Sequence, residues 1–324
     1  MQYIAPQWLP GGQLQTIWPA LFARHNNTRT PAYVRSRWTT PDGDFIDVDE
    51  AAIFQSGQKT PLLVMFHGLE GSSQSHYARA MATYASEQGW SFAVPHFRGC
   101  SGELNYAPRA YHSGDFAEID WILKRFKLQH AGPLIVVGIS MGGNALLRWA
   151  AETQSEAKKL VAAVAAVCSP LDLAASGHAI GRGFNRLVYT RMFMRTMVPK
   201  ALAKLQQYPG LFDRQSLLLA KDLYDFDNVF TGPLHGFDGT EDYWQRASAK
   251  PILQDIKVPA LVMNALNDPF VPANSLPEST KVSKNVTLHY TDRGGHVGYT
   301  QGLPPGNVHA MPQLVGAWLR QYLT

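Results

Sequence analysis

The stretch Leu134-Ile135-Val136-Val137-Gly138-Ile139-Ser140-Met141-Gly142-Gly143 decides the architecture. Its first part is an apolar run of strand length. Its second part, Gly138-Ile139-Ser140-Met141-Gly142, is a G-x-S-x-G that opens a helix running from Gly142 to about Glu152. A serine between a strand and a helix has to occupy a tight turn, where neighbouring side chains would collide, and glycines relieve that collision. The turn raises the hydroxyl at the carboxyl edge of a sheet, beside a helix N-terminus that favours developing negative charge. The pentapeptide alone is also what an ordinary glycine-rich turn looks like; the strand before it and the helix after it set it apart.

Outward from this segment the same kind of apolar run recurs at Pro61–Phe66, Trp90–Phe97, Leu160–Cys168, Pro259–Ala265 and Val286–Tyr290. Uniform apolarity, as opposed to alternation, marks strands buried on both faces, as in parallel sheets. Ser75–Gln88 has helical character, and Ser113 is placed to N-cap a helix ending near Leu128. Tyr33–Thr39 and Phe45–Ala52 flank Pro41-Asp42-Gly43 and read as a hairpin. Repeated βα units predict an α/β fold, a mostly parallel, doubly wound sheet with right-handed crossovers. Between Cys168 and Pro259 that rhythm stops for about ninety residues, too long for a structureless loop in a compact domain. An inserted helical cap is expected there. The organisation read is an N-terminal segment over 1–32, a core over 33–170 and 251–324, and a cap over 171–250.

The 324 residues are 45% hydrophobic with only 2 cysteines, which excludes disordered and disulfide-stapled classes. Cys100 and Cys168 make no framework, so a reducing, cytoplasmic setting is expected. Lys and Arg number 29 against 25 Asp and Glu, a formal net charge of +4. The excess is local: Arg182, Arg186, Arg191, Arg195, Lys200 and Lys204 stand between Leu173 and Phe212 with no acid among them. One stripe on an otherwise balanced chain argues against nucleic acid as a partner. Its plainer reading is a cap helix with a solvated basic face; the sharper one is weak contact with an anionic membrane surface. No apolar run reaches the roughly 20 residues of a spanning helix, and the start of the chain, broken by Pro6, Pro10 and Pro19 and lacking a basic residue before Arg24, is not read as a secretory signal. The oligomeric state is left open.

A serine nucleophile needs a base and an orienting carboxylate, in the chain order Ser, acid, His for this architecture. His289 lies within a strand and His309 in what reads as the last helix, whereas His296 follows Gly294-Gly295 on a loop just past a strand end. His296 is the expected base. Asp268 directly follows a strand in Asn267-Asp268-Pro269 and is the expected acid, with Asp292 second. The oxyanion donors are expected from the backbone amides of Met141 and of Leu69, in the loop His67-Gly68-Leu69-Glu70-Gly71. His67 either meets substrate or braces that loop. With Glu70, Phe184, Met192 and Phe193 it completes the pocket candidates. There is no G-x-x-x-x-G-K-[ST], no H-E-x-x-H and no ligand spacing among the 11 histidines, so neither a cofactor nor a metal is expected.

Leu9-Pro10-Gly11-Gly12-Gln13-Leu14-Gln15-Thr16, Pro41-Asp42-Gly43-Asp44, His67-Gly68-Leu69-Glu70-Gly71, His96-Phe97-Arg98-Gly99-Cys100-Ser101-Gly102, Tyr111-His112-Ser113-Gly114-Asp115, Asn267-Asp268-Pro269-Phe270 and Gly294-Gly295-His296-Val297-Gly298 extend the pattern over nearly the whole length. On these motifs the chain resembles the α/β-hydrolases, and within them the AB hydrolase 4 family of YheT-like hydrolases. The resemblance implies an α/β-hydrolase fold and hydrolysis of short- to medium-chain carboxylic esters by Ser140, Asp268 and His296. Relatives in that family include lipases, phospholipases and alcohol acyltransferases, which keeps acyl transfer to an alcohol open, alongside a catalytically silent binding protein. The family more often carries Asp where this chain has Asn267.

Overall fold

The computed structural model describes residues 3–22, 32–51 and 59–323. Helix α1 (Gly11–Phe22) is followed by β1 (Tyr33–Thr39), β2 (Phe45–Ala51), β3 (Leu62–Phe66), α2 (His76–Glu87), β4 (Ser91–Pro95), α3 (Phe116–Gln129), β5 (Leu134–Ile139) and α4 (Met141–Thr153). A helical turn, α5 (Ala157–Leu160), precedes β6 (Ala163–Val167). The chain then runs through α6 (Leu173–Ile180), α7 (Gly183–Asn185), α8 (Arg191–Gln207), α9 (Arg214–Leu219), α10 (Leu223–Phe226), α11 (Gly232–Leu234) and α12 (Gly239–Ala247). It returns to the sheet in β7 (Ala260–Ala265) and β8 (Val286–Thr291) and closes with α13 (Ala310–Arg320).

Eight strands form one sheet in the order β1-β2-β4-β3-β5-β6-β7-β8. From β4 to β8 every pairing is parallel, and β1-β2 and β2-β4 are antiparallel. The turn of the β1–β2 hairpin is closed by Gly43 N donating to Thr40 O (3.0 Å), and Gly43 sits at φ 77°. Apolar runs buried on both faces split their side chains by period two. Leu62, Val64 and Phe66 of β3 pack with α3 and α4, while Leu63 and Met65 pack with α2 and α13. Helices therefore cover both faces, which is the doubly wound arrangement. No helix of the described residues is long and apolar enough to cross a membrane.

Two buried polar ties join the layers. Arg98 binds Asp42 and Asp44 (2.8 Å each) and Glu118 (2.6 Å), fastening the hairpin turn to α3. Asn144 of α4 donates to Ser113 O (2.8 Å) and Ala247 O (2.9 Å) and accepts from Ala249 N (2.9 Å). That single amide holds the end of the helical stretch against the sheet domain.

Several boundaries differ from expectation. Asp115, not Ser113, caps α3, its carboxylate accepting from Glu118 N; the Ser113 amide instead donates to Tyr243 Oη (2.9 Å). The apolar segment Leu160–Cys168 begins in a helical turn, and only Ala163–Val167 is strand. β8 is buried only at its ends, Val286 and Thr291, because it pairs only with β7 and forms the sheet's edge, where the partly exposed Thr287 and His289 are tolerated. His309 precedes α13 and is not inside it. Ala52, expected to end the hairpin, lies outside the described residues.

Candidate active site

Ser140 joins β5 to α4 at φ 52° and ψ −121°, a left-handed position that non-glycine residues seldom adopt. The packing around it explains the glycines. A Cβ on Gly138 would lie 2.5 Å from Gly142 O and from Gly143 Cα, and one on Gly142 would lie 2.5 Å from His67 O. Ser140 N donates to Val167 O (2.8 Å), tying the turn to the end of β6. The hydroxyl does not cap its own helix. It lies 3.0 Å from His296 Nε2, and His296 Nδ1 lies 2.8 Å from Asp268 Oδ2.

Each partner is held in turn. Asp268 is buried, and its second oxygen accepts from Phe270 N (2.7 Å) and Val271 N (3.2 Å). With Oδ1 taken by amides, Oδ2 is left to accept from the imidazole Nδ1–H, which leaves Nε2 free to accept from the serine hydroxyl. Phe270 lies against the ring at a centroid distance of 4.2 Å, and the His296 side chain is 10% exposed.

The loops that carry His296 and Asp268 are clamped by α1, a role the sequence reading did not assign. Gln15 Oε1 accepts from Gly294 N (2.9 Å) and Asn267 Nδ2 (2.9 Å), and Gln15 Nε2 donates to Leu9 O (2.8 Å). Asn267 Oδ1 accepts from Gly295 N (3.0 Å), and Thr16 Oγ1 accepts from His296 N (2.8 Å). Asn267 thus donates and accepts at once, which a carboxylate could not do. Contact is close enough that a Cβ on Gly298 would lie 1.9 Å from Gln15 O, and one on Gly12 would lie 1.9 Å from Asn267 O. The stretch Leu9-Pro10-Gly11-Gly12-Gln13-Leu14-Gln15-Thr16 stood out as a motif, but the burial of Gln15 and Thr16 comes from tertiary contact and has no local signal.

Cys168, Asp268 and His296 present ligand-type atoms within 4.8 Å of one another, the one such group found among the described residues. Burial pushes the Cys168 thiol well above its ordinary value, and its sulfur accepts from Val297 N (3.3 Å). A metal there would need the thiolate, together with the carboxylate and imidazole atoms already engaged with each other, so the set does not fit a metal centre.

The expected oxyanion loop lies beside the serine: a Cβ on Gly68 would approach Ser140 Cβ to 3.2 Å. Gly68 N is held by Tyr77 Oη (3.1 Å). The amides of Leu69 and Met141 have no acceptor among the described residues. His67 braces the loop and does not line a pocket. Its Nδ1 donates to Gly68 O (2.8 Å), its Nε2 accepts from Phe97 N (3.1 Å), and burial pushes its pKa down to about 3, keeping it neutral. Glu70, at φ 54°, receives Tyr111 Oη (2.8 Å) and the ammonium of Lys200 (2.8 Å).

Lys200 and Lys204 therefore leave the solvated stripe expected of them. Lys204 is buried, donates to Asn105 O and to Gln207 Oε1 (3.1 Å), and desolvation pushes its pKa down to about 8. A cavity of about 140 Å³ opens from Ser140 between the sheet edge and the helices after β6. Leu69, Met141, Phe193, Met197 and Phe230 give it a mostly apolar wall, and Glu70 lies on it as well. Of the other pocket candidates, Phe184 and Met192 are absent from the wall and half exposed, at 50% and 52%. Gln15→Leu removes the acceptor of the buried Gly294 amide. Urea denaturation should show a loss of about 1–3 kcal/mol; an unchanged midpoint would mean that the clamp does not hold the loop.

A family model described as alpha/beta hydrolase fold matches residues 61–303. A protein of Escherichia coli (strain K12) named "Putative esterase YheT" is 34% identical, covering 99% of this chain and 94% of its own. Phospholipase ABHD3 of Homo sapiens is 27% identical over 81% of this chain and 64% of its own length. Among solved structures, the Pyrococcus furiosus esterase Pf2001 superposes with a TM-score of 0.58 at 17% identity, covering 90% of this chain and 93% of that one. A membrane phospholipase A described as a bacterial virulence factor gives 0.58 at 15%, over 95% and 91%. At such identities the likeness of the two structures is one of fold. The family match, the near full-length relative and the strand–serine–helix turn agree, and the chain belongs to the α/β-hydrolase fold family, on the YheT-like side of it.

Proposed function

We propose that the protein is a serine hydrolase of carboxylic esters in which Ser140 is the nucleophile, His296 the base and Asp268 the orienting acid. The observation that carries this reading is the unbroken relay from Ser140 Oγ through His296 to Asp268, at 3.0 and 2.8 Å. His296 Nε2 takes the serine proton as Oγ attacks the ester carbonyl. The oxyanion so formed is received by the amides of Leu69 and Met141, at a helix N-terminus that favours negative charge. Collapse breaks the ester bond, and the alcohol leaves with the proton from His296. Water then attacks the acyl-serine and gives its proton to His296. The second collapse returns that proton to Ser140 and releases the acid. All the proton transfers run through protein atoms.

The narrow apolar cavity supports an acyl chain of short to medium length. In this reading residues 171–250 act as the cap over it, 33–170 and 251–324 as the catalytic core, and α1 within the N-terminal segment 1–32 as the clamp. Ser140→Ala should abolish labelling by a fluorophosphonate and lower p-nitrophenyl ester turnover by ~10⁴-fold or more. Retained turnover in that variant would refute the assignment.

The outer side of the cap supports contact with anionic lipid. Arg182, Arg186, Arg191 and Arg195 are exposed there with no ion pair among the described residues, beside Leu187 at 67% exposure and Met192 at 52%. Asn185 in the same segment donates to Pro269 O (2.6 Å), so this face lies next to the loop that carries Asp268. Vesicles containing phosphatidylglycerol should co-sediment the protein at low salt, and Leu187→Asp should weaken the association about tenfold. Equal behaviour on neutral and anionic vesicles would remove this contact.

A further inference from the structure

The cavity that starts at Ser140 also has polar groups on its cap side that the ester mechanism does not use. Ser176 of α6 is 2% exposed and lines the wall, yet its hydroxyl has no hydrogen-bond partner. A helical serine ordinarily returns its hydroxyl to the carbonyl four residues back. Asp172 O instead receives only the Ser176 amide (3.1 Å).

Asp227, which follows α10, lines the same wall at 8% exposure. Its carboxylate accepts from Trp244 Nε1 (2.9 Å) and is hydrogen-bonded by the Thr231 hydroxyl. No cation pairs with it among the described residues, and burial pushes its pKa up to about 6. Gly177 joins the two groups: a Cβ there would lie 2.3 Å from the Trp244 ring, so α6 rests directly on the indole that donates to Asp227. Around them the wall is Leu173, Ile180, Phe226, Phe230 and Trp244.

An orphan hydroxyl and an uncompensated carboxylate in an apolar pocket both cost stability unless a ligand completes them. Their hydrogen-bonding characters are complementary. A carboxylate only accepts, and a serine hydroxyl retains a hydrogen to donate. A ligand hydroxyl suits either group, since it can donate to Asp227 and can accept from Ser176. An alkyl chain end satisfies neither. We propose that this part of the cavity is a subsite for a hydroxyl carried on the chain of the ester, making hydroxyacyl esters the preferred substrate class. The proposal rests on the esterase reading.

The test is a ratio. Turnover, as kcat/KM, is measured for p-nitrophenyl esters of straight-chain acids with and without a terminal hydroxyl, matched in length from four to ten carbons. At the best length the hydroxy ester should be preferred by about ten- to a hundredfold. Ser176→Ala and Asp227→Asn should each cut that preference about fivefold or more. The asparagine keeps a carbonyl oxygen for Trp244 and an amide that the Thr231 hydroxyl can accept from, and the alanine removes a group with no partner. A role confined to holding Trp244 predicts the same ratio in wild type and both variants, and that result overturns the proposal. So does a preference for a terminal ammonium over a terminal hydroxyl, which would assign the subsite to cations. If wild type turns over neither series, the esterase reading itself fails and the subsite falls with it.

Discussion

The backbone at Ser140 is the constraint on which the rest is built. A non-glycine residue at φ 52° and ψ −121° has a conformational cost, and the turn persists because β5, α4 and the β3 loop leave it no other course. Gly138 and Gly142 are required by backbone atoms 2.5 Å from where a Cβ would be. In return the hydroxyl stands clear of its helix, at the sheet edge reached by the loops after β3, β7 and β8. The proposed oxyanion loop, acid and base each come from one of those three loops. A parallel sheet delivers all three to one edge, since the carboxyl ends of its strands lie together.

Loops need holding, and here the holding is external to the sheet. Helix α1 places Gln15 and Thr16 under the Gly294-Gly295-His296 turn, with Asn267 as the link between the loops that carry Asp268 and His296. On the opposite side, Lys200 of α8 reaches Glu70 and ties the helices after β6 to the oxyanion loop. Both clamps are polar, and the one made by Gln15 and Thr16 is buried, where an unmade hydrogen bond is costly. They favour a single arrangement of the site over a family of loosely related ones.

Much of this was legible in the sequence because buried parallel strands leave a plain record: Pro61–Phe66, Leu134–Gly138 and Pro259–Ala265 all coincide with strands. Ser140, Asp268 and His296, which the structure brings into contact, stood out for the same reason, each falling past a strand end. What was not readable depended on long-range contact. Lys204 looks solvent-bound at its i,i+4 spacing from Lys200, but tertiary packing buries it against Asn105. Phe184 and Met192 look like pocket residues by composition, yet they face outward. Ser113 and Asp115 are both reasonable caps locally, and Tyr243, far along the chain, occupies the first. The role of α1 had no local signal, since it is a mostly apolar helix whose Gln15 and Thr16 are buried by contacts from far along the chain.

In the proposed reaction Ser140 carries the acyl group between the two halves. Its most direct test is mass spectrometry of protein mixed with p-nitrophenyl butyrate and quenched in acid within the first turnovers. The protein should gain one butyryl group, localised by digestion to the peptide containing Ser140 and lost with time at neutral pH. Steady release of p-nitrophenol with no acyl group on that peptide, or with the group on another residue, would contradict it.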